Sequence, residues 1–286
     1  MKKMKLVAII AATSIAAASC GNSGTPTVAG PGELGHIHDL VLTADDTLLV
    51  ASHTGLYRID AIDEAVLVGT EQHDMMAMAI DADGLLASGH PDLRLDKYRV
   101  DGLPPHLGLA RSADLGNTWT VEAELLGRKD FHALVPTSDG LFAADTEGKI
   151  VRRDADGIWQ ELGEVEARDL AIHPTDTSQQ LAVDLLGKVW NSNDGGESWN
   201  QLGAALDAVE IEWIQDDRIL AVSSSGLIWE ADFPEGPWRQ AAQTAPEVET
   251  FHVDRDQWWV TVDGGQIQTS TNQGTTWATI YEPPQQ

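Results

Sequence analysis

Five histidines and two adjacent methionines are the side chains in this sequence best suited to chemistry: His36, His38, His53, His90, His132, Met75 and Met76. Imidazole and thioether together suit copper better than other common metals, and zinc is the second choice. Three aspartates stand near these residues in the chain: Asp39, Asp74 and Asp130. A carboxylate so placed can hydrogen-bond to a metal-binding imidazole and hold its orientation. The residue types therefore predict a metal site, provided that the fold brings them together.

A repeat of about forty residues predicts that fold. Five tryptophans recur 40, 40, 39 and 39 residues apart: Trp119, Trp159, Trp199, Trp238 and Trp277. A glycine that opens a short strand precedes each by eleven or twelve residues: Gly108, Gly148, Gly187, Gly226 and Gly265. A sixth copy begins at Gly55, with Val66 in place of the tryptophan. Such periods, with several short alternating strands each, are typical of propeller blades. We therefore predict an all-β fold, a six-bladed β-propeller of four-stranded blades, over residues 32–286.

The propeller geometry predicts which side chains meet. The innermost strand A of each blade starts at the top face, which we define as the end with the D–A and B–C loops. Eight residues before the first three A–B turns stand His38, Met76 and His132, so we expect them at one height beside the axis, with His36 on the same strand face as His38. The B strands of the first two blades end at His53 and His90, on the rim of the same pocket. The comparable positions in the last three blades are predicted to be acidic: Asp169, Glu210 and Glu249.

The second unit is longer than the others. Gly55 to Gly108 is 53 residues, against 39 or 40 elsewhere. The extra length follows His90 and contains Tyr98, Pro104, Pro105 and His106. We expect this B–C insertion to fold over the top face as a partial lid. His173 and His252 are expected to lie outside the cluster.

The N-terminus has the features of an export signal. Three lysines precede a short apolar run over residues 6–18, which is too short to span a bilayer. The run ends in Ala17-Ala18-Ser19-Cys20-Gly21, which resembles a lipobox, where cleavage before the cysteine is followed by acylation of its thiol. Cys20 is also the only cysteine. We therefore expect a signal peptide over 1–19, lipidation of Cys20, a flexible tether over 20–31 and an extracytoplasmic protein held at the cell membrane by its lipid.

The charge excludes some partners. The formal net charge is −27, and it becomes −30 without residues 1–19, which carry three lysines and no acid. Nucleic acid and anionic membrane surfaces are repelled by such a protein, so the lipid is the expected membrane contact. Cations are attracted, although most of these carboxylates are expected only to keep the protein soluble.

The turns between strands C and D resemble a known repeat. Ser112-Ala113-Asp114-Leu115-Gly116-Asn117-Thr118-Trp119 matches the Asp-box, or BNR, pattern S-x-D-x-G-x-T-W at every specified position, and residues 192–199 and 270–277 are close copies. In this motif the acidic or amide side chain accepts backbone N–H groups and the glycine adopts a positive φ. The Asp-box aspartates are therefore expected to be structural rather than catalytic.

Asp-box propellers include sialidases, endo-glucanases, sortilin-like receptors and assembly factors of photosynthetic membranes. The sequence is most similar to bacterial lipoproteins catalogued as glycosylhydrolase-like or exo-alpha-sialidase-like, which carry a GHIH motif soon after the lipobox. Here that motif is Gly35-His36-Ile37-His38. The resemblance implies a lipid-anchored propeller of the cell envelope, and the catalogue name reflects the repeat rather than an activity.

Three functions stay open, and non-catalytic metal binding with copper is preferred. A sialidase-type glycoside hydrolase needs an arginine triad and a Tyr–Glu nucleophile pair at the axis, but only Arg168 and Tyr98 are placed near the top. A mechanism with two carboxylates stays open, with candidate acids at Asp74, Asp130, Asp169, Glu210 and Glu249. A propeller that binds an envelope protein partner is the third reading, and it is compatible with metal binding.

Overall fold

The structure is a computed structural model that describes residues 34–215, 217–233, 236–262 and 264–284. The expected signal peptide, the lipidation site Cys20 and the tether over 20–31 lie outside these residues. A single short 3₁₀ helix, Asp96–Tyr98, is found in the described ranges, and no helix within them is long and apolar enough to cross a membrane.

Six four-stranded antiparallel sheets make up the described part of the chain, and each sheet is built from four consecutive strands. The first three blades contain β1 (Ile37–Leu42), β2 (Leu48–Ser52), β3 (Gly55–Ala61), β4 (Glu64–Leu67), β5 (Asp74–Asp81), β6 (Gly84–His90), β7 (Ala110–Ser112), β8 (Thr120–Val121), β9 (Phe131–Thr137), β10 (Gly140–Asp145), β11 (Lys149–Arg153) and β12 (Trp159–Glu164). The last three contain β13 (Ala167–Ile172), β14 (Gln180–Asp184), β15 (Val189–Ser192), β16 (Asn200–Gln201), β17 (Ala208–Gln215), β18 (Arg218–Ser223), β19 (Leu227–Asp232), β20 (Arg239–Gln243), β21 (Val248–Asp254), β22 (Gln257–Val262), β23 (Gln266–Ser270) and β24 (Ala278–Tyr281). The predicted six-bladed propeller is confirmed.

The core lies between the blades rather than in one central mass. Side chains alternate across each strand, so both faces of a blade pack against a neighbouring blade. Blades 1 and 2, for example, share a cluster that contains Leu49 and Leu56 on one side and Met75 and Leu85 on the other. Five further clusters occupy the other interfaces. Burial on both faces explains why so many strands read as continuous apolar runs.

The ring closes between the last blade and the first. Leu34 and Ile37 pack with Trp259, Ile267 and Tyr281 in one cluster. The Glu282 N–H donates to the Ile62 carbonyl at 2.6 Å. Residues 34–36 do not add a strand to the last blade, whose sheet consists of β21 to β24 alone. Closure therefore depends on side-chain packing and a few hydrogen bonds.

The C–D turns with the Asp-box pattern all accept the same backbone N–H groups with their side chains. In the first, Ser112 Oγ accepts the Gly116 N–H at 2.7 Å, and Asp114 Oδ1 accepts the Thr118 N–H at 2.9 Å. The Thr118 hydroxyl donates to Asp114 Oδ2 at 2.7 Å. The turns at 192–199 and 270–277 repeat the two backbone bonds. The Ser198 hydroxyl also donates to Asp194, whereas in the last turn the Asn272 amide donates to the Thr276 hydroxyl. The Asp and Asn side chains are thus occupied by the turn, at the end of the blades opposite the top face.

Acidic side chains join neighbouring blades along the axis. Each strand A is the inner edge of its sheet, so its axial N–H groups have no ladder partner. Asp39 Oδ2 accepts the Met78 N–H of the next blade at 2.7 Å, and Asp169 Oδ2 accepts the Ile211 N–H at 2.7 Å. Further bonds of this kind are Phe251 N–H to Glu210 at 2.5 Å and Ile37 N–H to Glu249 at 3.2 Å. These carboxylates connect consecutive blades.

Removal of one such carboxylate is expected to weaken the ring. Asp39→Ala leaves the N–H groups of Met78 and Leu40 without their acceptor, which we expect to lower the free energy of unfolding by about 1 to 3 kcal/mol. Chemical denaturation measures the loss. Asp83→Ala, which removes an exposed carboxylate from an A–B turn, is the control and should change little. Equal stability of the two variants would contradict the role given to Asp39.

Candidate metal centre

A β-bulge lies at the top of every strand A, and the bulge residue lines the axial channel in five of the six blades, Val209 being buried in the core instead. In each A–B pairing one residue of strand A is skipped at the bulge: His38, Met76, His132, Arg168, Val209 and Glu249. A bulge leaves its extra residue unpaired and re-aims its side chain. The structure thus places His38, Met76 and His132 at equivalent positions, as counted from the sequence.

The bulge position predicted from the sequence is wrong by one residue in the fourth and fifth blades. Arg168 and Val209 occupy the bulge positions where Asp169 and Glu210 were expected, and the two acids lie one residue deeper in the channel. The long A–B connection after Ile172 and a second bulge near the end of β17 shift the count. The ring at the top therefore has one carboxylate, Glu249, rather than three.

Three histidines converge at the top of blade 1. His36 precedes β1, His38 is the bulge residue and His53 follows β2, and one ligand atom from each lies within 4.8 Å of the others. His38 Nε2 is 3.2 Å from His53 Nδ1, and the ring centroids of His36 and His38 are 4.7 Å apart. We call these residues the three-histidine cluster. Their spacing is that of side chains able to share one ion.

The cluster keeps its central imidazole uncharged. The His38 side chain is 10 % exposed, whereas those of His36 and His53 are 50 % exposed. Desolvation, followed by the neighbouring imidazoles of His53 and His36, lowers the pKa of His38 to about 4. A neutral imidazole has a free lone pair, which is the form that binds a metal.

Asp74 connects the three-histidine cluster to the next two predicted ligands. Its Oδ1 lies 2.6 Å from His53 Nδ1, and its Oδ2 lies 3.0 Å from His90 Nδ1. On the far side of His90, Nε2 is 3.4 Å from Asp130 Oδ2. His132 Nε2 is 3.5 Å from the same oxygen. Aspartates and histidines thus alternate around one side of the mouth.

The alternating aspartates and histidines determine one another's pKa values. Hydrogen bonds to Asp130 and Asp74 raise the pKa of His90 to about 10. Desolvation alone would raise the pKa of Asp74, but hydrogen bonds from His90 and His53 outweigh it and hold that pKa below its usual value. The pKa of Asp130 is lowered in the same way by His132 and His90.

Two of the predicted residues serve the scaffold instead. Met75 is completely buried in the cluster between blades 1 and 2, so its thioether faces the core, while its neighbour Met76 lines the channel. Asp39 was expected to orient a histidine, but its two oxygens accept backbone N–H groups of Leu40 and Met78. Met75 and Met76 face opposite sides because successive side chains alternate along β5. Asp39 accepts backbone N–H groups because β1 is the inner edge of its sheet.

The insertion after β6 is fixed to the rim and does not cover the channel. No residue of 91–109 belongs to the channel lining found in the described ranges. Tyr98 is buried and donates its hydroxyl proton to Glu71, which also lies 3.1 Å from His73 Nε2. Only His106 approaches the site, with its ring centroid 6.3 Å from that of His90. The expected lid is therefore a rim element.

His73 is a residue that the sequence did not single out. It is fully buried, and its Nδ1 accepts the Asp92 N–H at 2.9 Å. Glu71 is two residues away in the chain, whereas Asp92 is brought to His73 by the pairing of β5 with β6. The two histidines left out of the cluster behave differently from it. His173 accepts backbone N–H groups of its own turn, and His252 lies in the channel 3.3 Å from Glu212.

The axial channel has a volume of about 570 Å³ and is acidic below the histidines. Burial raises the pKa of Asp169 to about 6 and that of Asp39 to about 7. Burial, followed by repulsion from Asp169 and Asp39, also raises the pKa of Glu210. These acids already accept backbone N–H groups, so they act first as parts of the scaffold.

Comparisons with known proteins identify the class of fold. No protein-family model and no curated protein matches the chain. Among solved structures, it is similar to an ancestral GH74 enzyme, with 13 % identity and a TM-score of 0.56 over 88 % of this chain, which spans 39 % of that enzyme. It is also similar to the WD40 β-propeller domain of Doa1, with 12 % identity and a TM-score of 0.61 over 90 % of this chain and 85 % of that one. YCF48 bound to a D1 peptide gives 14 % identity and 0.54 over 87 % and 82 %.

The protein is thus a six-bladed β-propeller. At these identities the likeness concerns the fold alone, which a glycoside hydrolase and a peptide-bound propeller share. The function must be argued from the site.

The raised pKa of Asp169 predicts a pH dependence of stability. In the unfolded chain this carboxyl ionises near 3.8, and in the folded protein only near 6. Between these values the folded state holds more protons, so stability falls as the pH rises through this window. Asp169→Asn does not ionise, so the decline from pH 4 to pH 6 should be shallower. Urea unfolding at a series of pH values measures it, with Asp83→Asn as the exposed control. Parallel curves for Asp169→Asn and the unmodified protein would refute the assignment.

Proposed function

We propose that this protein binds a transition-metal ion, with copper favoured, through the three-histidine cluster on the top face of the propeller. The observation that supports it best is the approach of ligand atoms from His36, His38 and His53 to within 4.8 Å of one another. Three imidazoles are a common protein ligand set for zinc and copper. The two half-exposed rings leave the position open to solvent.

Copper is favoured over zinc for two reasons. Sites built from nitrogen donors bind divalent copper more tightly than the other first-row divalent metals. The next bulge around the ring carries Met76, which lines the channel together with His36 and His38. Its thioether is a soft donor that favours monovalent copper, so the neighbourhood suits both oxidation states. Met75 is excluded from the proposed ligands because it is buried in the core.

The surroundings favour a bound cation. Asp74 Oδ1 lies 2.6 Å from His53 Nδ1, and a carboxylate in this position fixes the tautomer and orientation of an imidazole ligand. The net charge of −27 attracts cations to the whole molecule. Both effects act on the resting protein, before any ion arrives.

The cellular setting is proposed from the N-terminal sequence. The basic start, the short apolar run and the lipobox-like residues before Cys20 support an exported lipoprotein with the propeller outside the cytoplasm. In this reading the propeller presents its metal site in the cell envelope without catalysing a reaction. A contact with another envelope protein is compatible with this arrangement, since propellers offer broad exposed faces.

A glycoside hydrolase is the second candidate, and the likeness to a GH74 propeller is what favours it. A hydrolase needs two acids free to act on a glycosidic bond. In the channel, Asp169 and Glu210 each accept a backbone N–H from the next blade. Arg168 is the one arginine among the bulge residues, so an arginine triad is not assembled there. We therefore rank hydrolysis below metal binding.

Metal retention by variants tests the proposal. The purified protein is loaded with Cu(II), Cu(I) or Zn(II), desalted and analysed for metal by mass spectrometry. His36→Ala and His38→Ala are expected to lose the equivalent bound by the three-histidine cluster, because each removes one of three converging ligands. His173→Asn, at a histidine that only accepts hydrogen bonds from its own turn, is the matched control and should retain it.

Two results would count against metal binding. Retention of no metal by the unmodified protein would contradict it directly. Equal retention by the His36→Ala, His38→Ala and control proteins would place any bound ion elsewhere. Turnover of aryl glycosides that disappears in Asp130→Asn but persists in His38→Ala would favour the hydrolase instead.

A further inference from the structure

We propose that the top face holds a second metal position, formed by His90, His132 and Asp130 and joined to the first by the carboxylate of Asp74. This inference rests on the proposed function, since the first position is the three-histidine cluster. It adds that the predicted ligands form two adjoining sites rather than one site with many ligands.

Asp74 divides the predicted ligands into two groups. Its Oδ1 faces the three-histidine cluster, at 2.6 Å from His53 Nδ1 and 3.6 Å from His38 Nε2. Its Oδ2 faces the other way, at 3.0 Å from His90 Nδ1. The carboxylate thus holds one imidazole of each group by a hydrogen bond, and it links the two metal positions through those imidazoles. One ion cannot be reached by both groups, because the Asp74 carboxylate stands between them.

The second group contains polar atoms that lack a partner. Asp130 Oδ1 and His106 Nδ1 are buried and make no hydrogen bond within the described part of the chain, and His132 Nε2 has only a long contact of 3.5 Å with Asp130 Oδ2. The Asp130 side chain is 5 % exposed, so water reaches it poorly. A buried acceptor without a partner is unfavourable, and native structures contain few of them. Several in one place point to a missing ligand, and a cation satisfies carboxylate and imidazole acceptors at once.

Regular structure holds this group in place. Asp130 immediately precedes β9, His132 is the bulge residue of β9, and His90 ends β6. Between Asp130 and His132, the Phe131 N–H donates to Ser88 Oγ of β6 at 2.9 Å, which fixes β9 against β6. The second position therefore requires only side-chain rotation to bring His90 and His132 onto one ion. His106, whose ring lies 6.3 Å from that of His90, is near enough to add a fourth ligand from the insertion.

The number of bound ions and their magnetic coupling test the second position. The purified protein is saturated with Cu(II), desalted, and examined by mass spectrometry for metal content and by electron paramagnetic resonance. We expect two equivalents of copper and a signal that is broadened or weakened by coupling across Asp74. His132→Gln and Asp130→Asn should each retain one equivalent with the signal of an isolated Cu(II). His38→Ala should also retain one equivalent, now in the second position, and His173→Asn should retain both.

The outcomes separate this inference from the proposed function. A single equivalent in the unmodified protein, unchanged in His132→Gln and Asp130→Asn but lost in His38→Ala, overturns the second position and leaves the first intact. Two equivalents that survive both His132→Gln and Asp130→Asn overturn it as well. No retained metal overturns the proposed function itself. Circular dichroism verifies that each variant is folded, and the Asp130→Asn variant keeps the test decisive if His132→Gln does not fold.

Discussion

The inner edge of each strand A is the constraint on which the rest of the structure depends. A propeller places the first strand of every blade beside the axis, where no further strand can pair with its N–H groups. An N–H group left without a partner inside a protein costs free energy. In this protein, acidic side chains accept several of these N–H groups from the neighbouring blade, as in the bonds from Met78 to Asp39 and from Ile211 to Asp169. Acids inside the channel are therefore explained by the backbone before any chemistry is considered.

The same constraint shapes the top face. A bulge at the start of each strand A interrupts the ladder, and in every blade but the fifth its residue lines the channel. Because the bulge occurs in all six blades, the residue at that position can differ between blades without a change of fold. In the first three blades it is His38, Met76 or His132, and B strands that end at His53 and His90 bring further imidazoles to the same place. A symmetric scaffold thus supports an asymmetric site.

The sequence was sufficient to predict the fold because the repeat is carried by residues with a mechanical role in every blade. Glycines open strand C, and tryptophans such as Trp119 pack near the start of strand D. The convergence of His36, His38 and His53 was also predictable, since it follows from strand order and the positions of strand ends. The sequence did not reveal contacts that depend on register. Whether Met75 or Met76 faces the channel is decided by a bulge, and the partner of Asp39 lies on another blade.

The depth of two acids in the channel also depends on strand register and was predicted wrongly. Asp169 and Glu210 were placed one residue too high because the lengths of the A–B connections differ and β17 contains a second bulge. His73 was missed because its partner Asp92 reaches it only through the pairing of β5 with β6. Local patterns thus predict which strands exist and in what order, whereas the function of a polar side chain depends on neighbours that are distant in sequence.

Neighbours also explain why two histidines on one face have opposite properties. His38 is surrounded by protein and by the imidazoles of His53 and His36, and both effects disfavour a positive charge on its ring. His90 lies between the carboxylates of Asp130 and Asp74, which favour that charge. The same side chain is thus neutral in one position and charged in the other, although Asp74 contacts both groups. The face is therefore divided into a part whose central imidazole is neutral before any ion binds and a part in which a metal ion must displace the proton of His90, with Asp74 at the boundary. This division follows from the placement of aspartates between the blades, and Asp74 is the residue that contacts both parts.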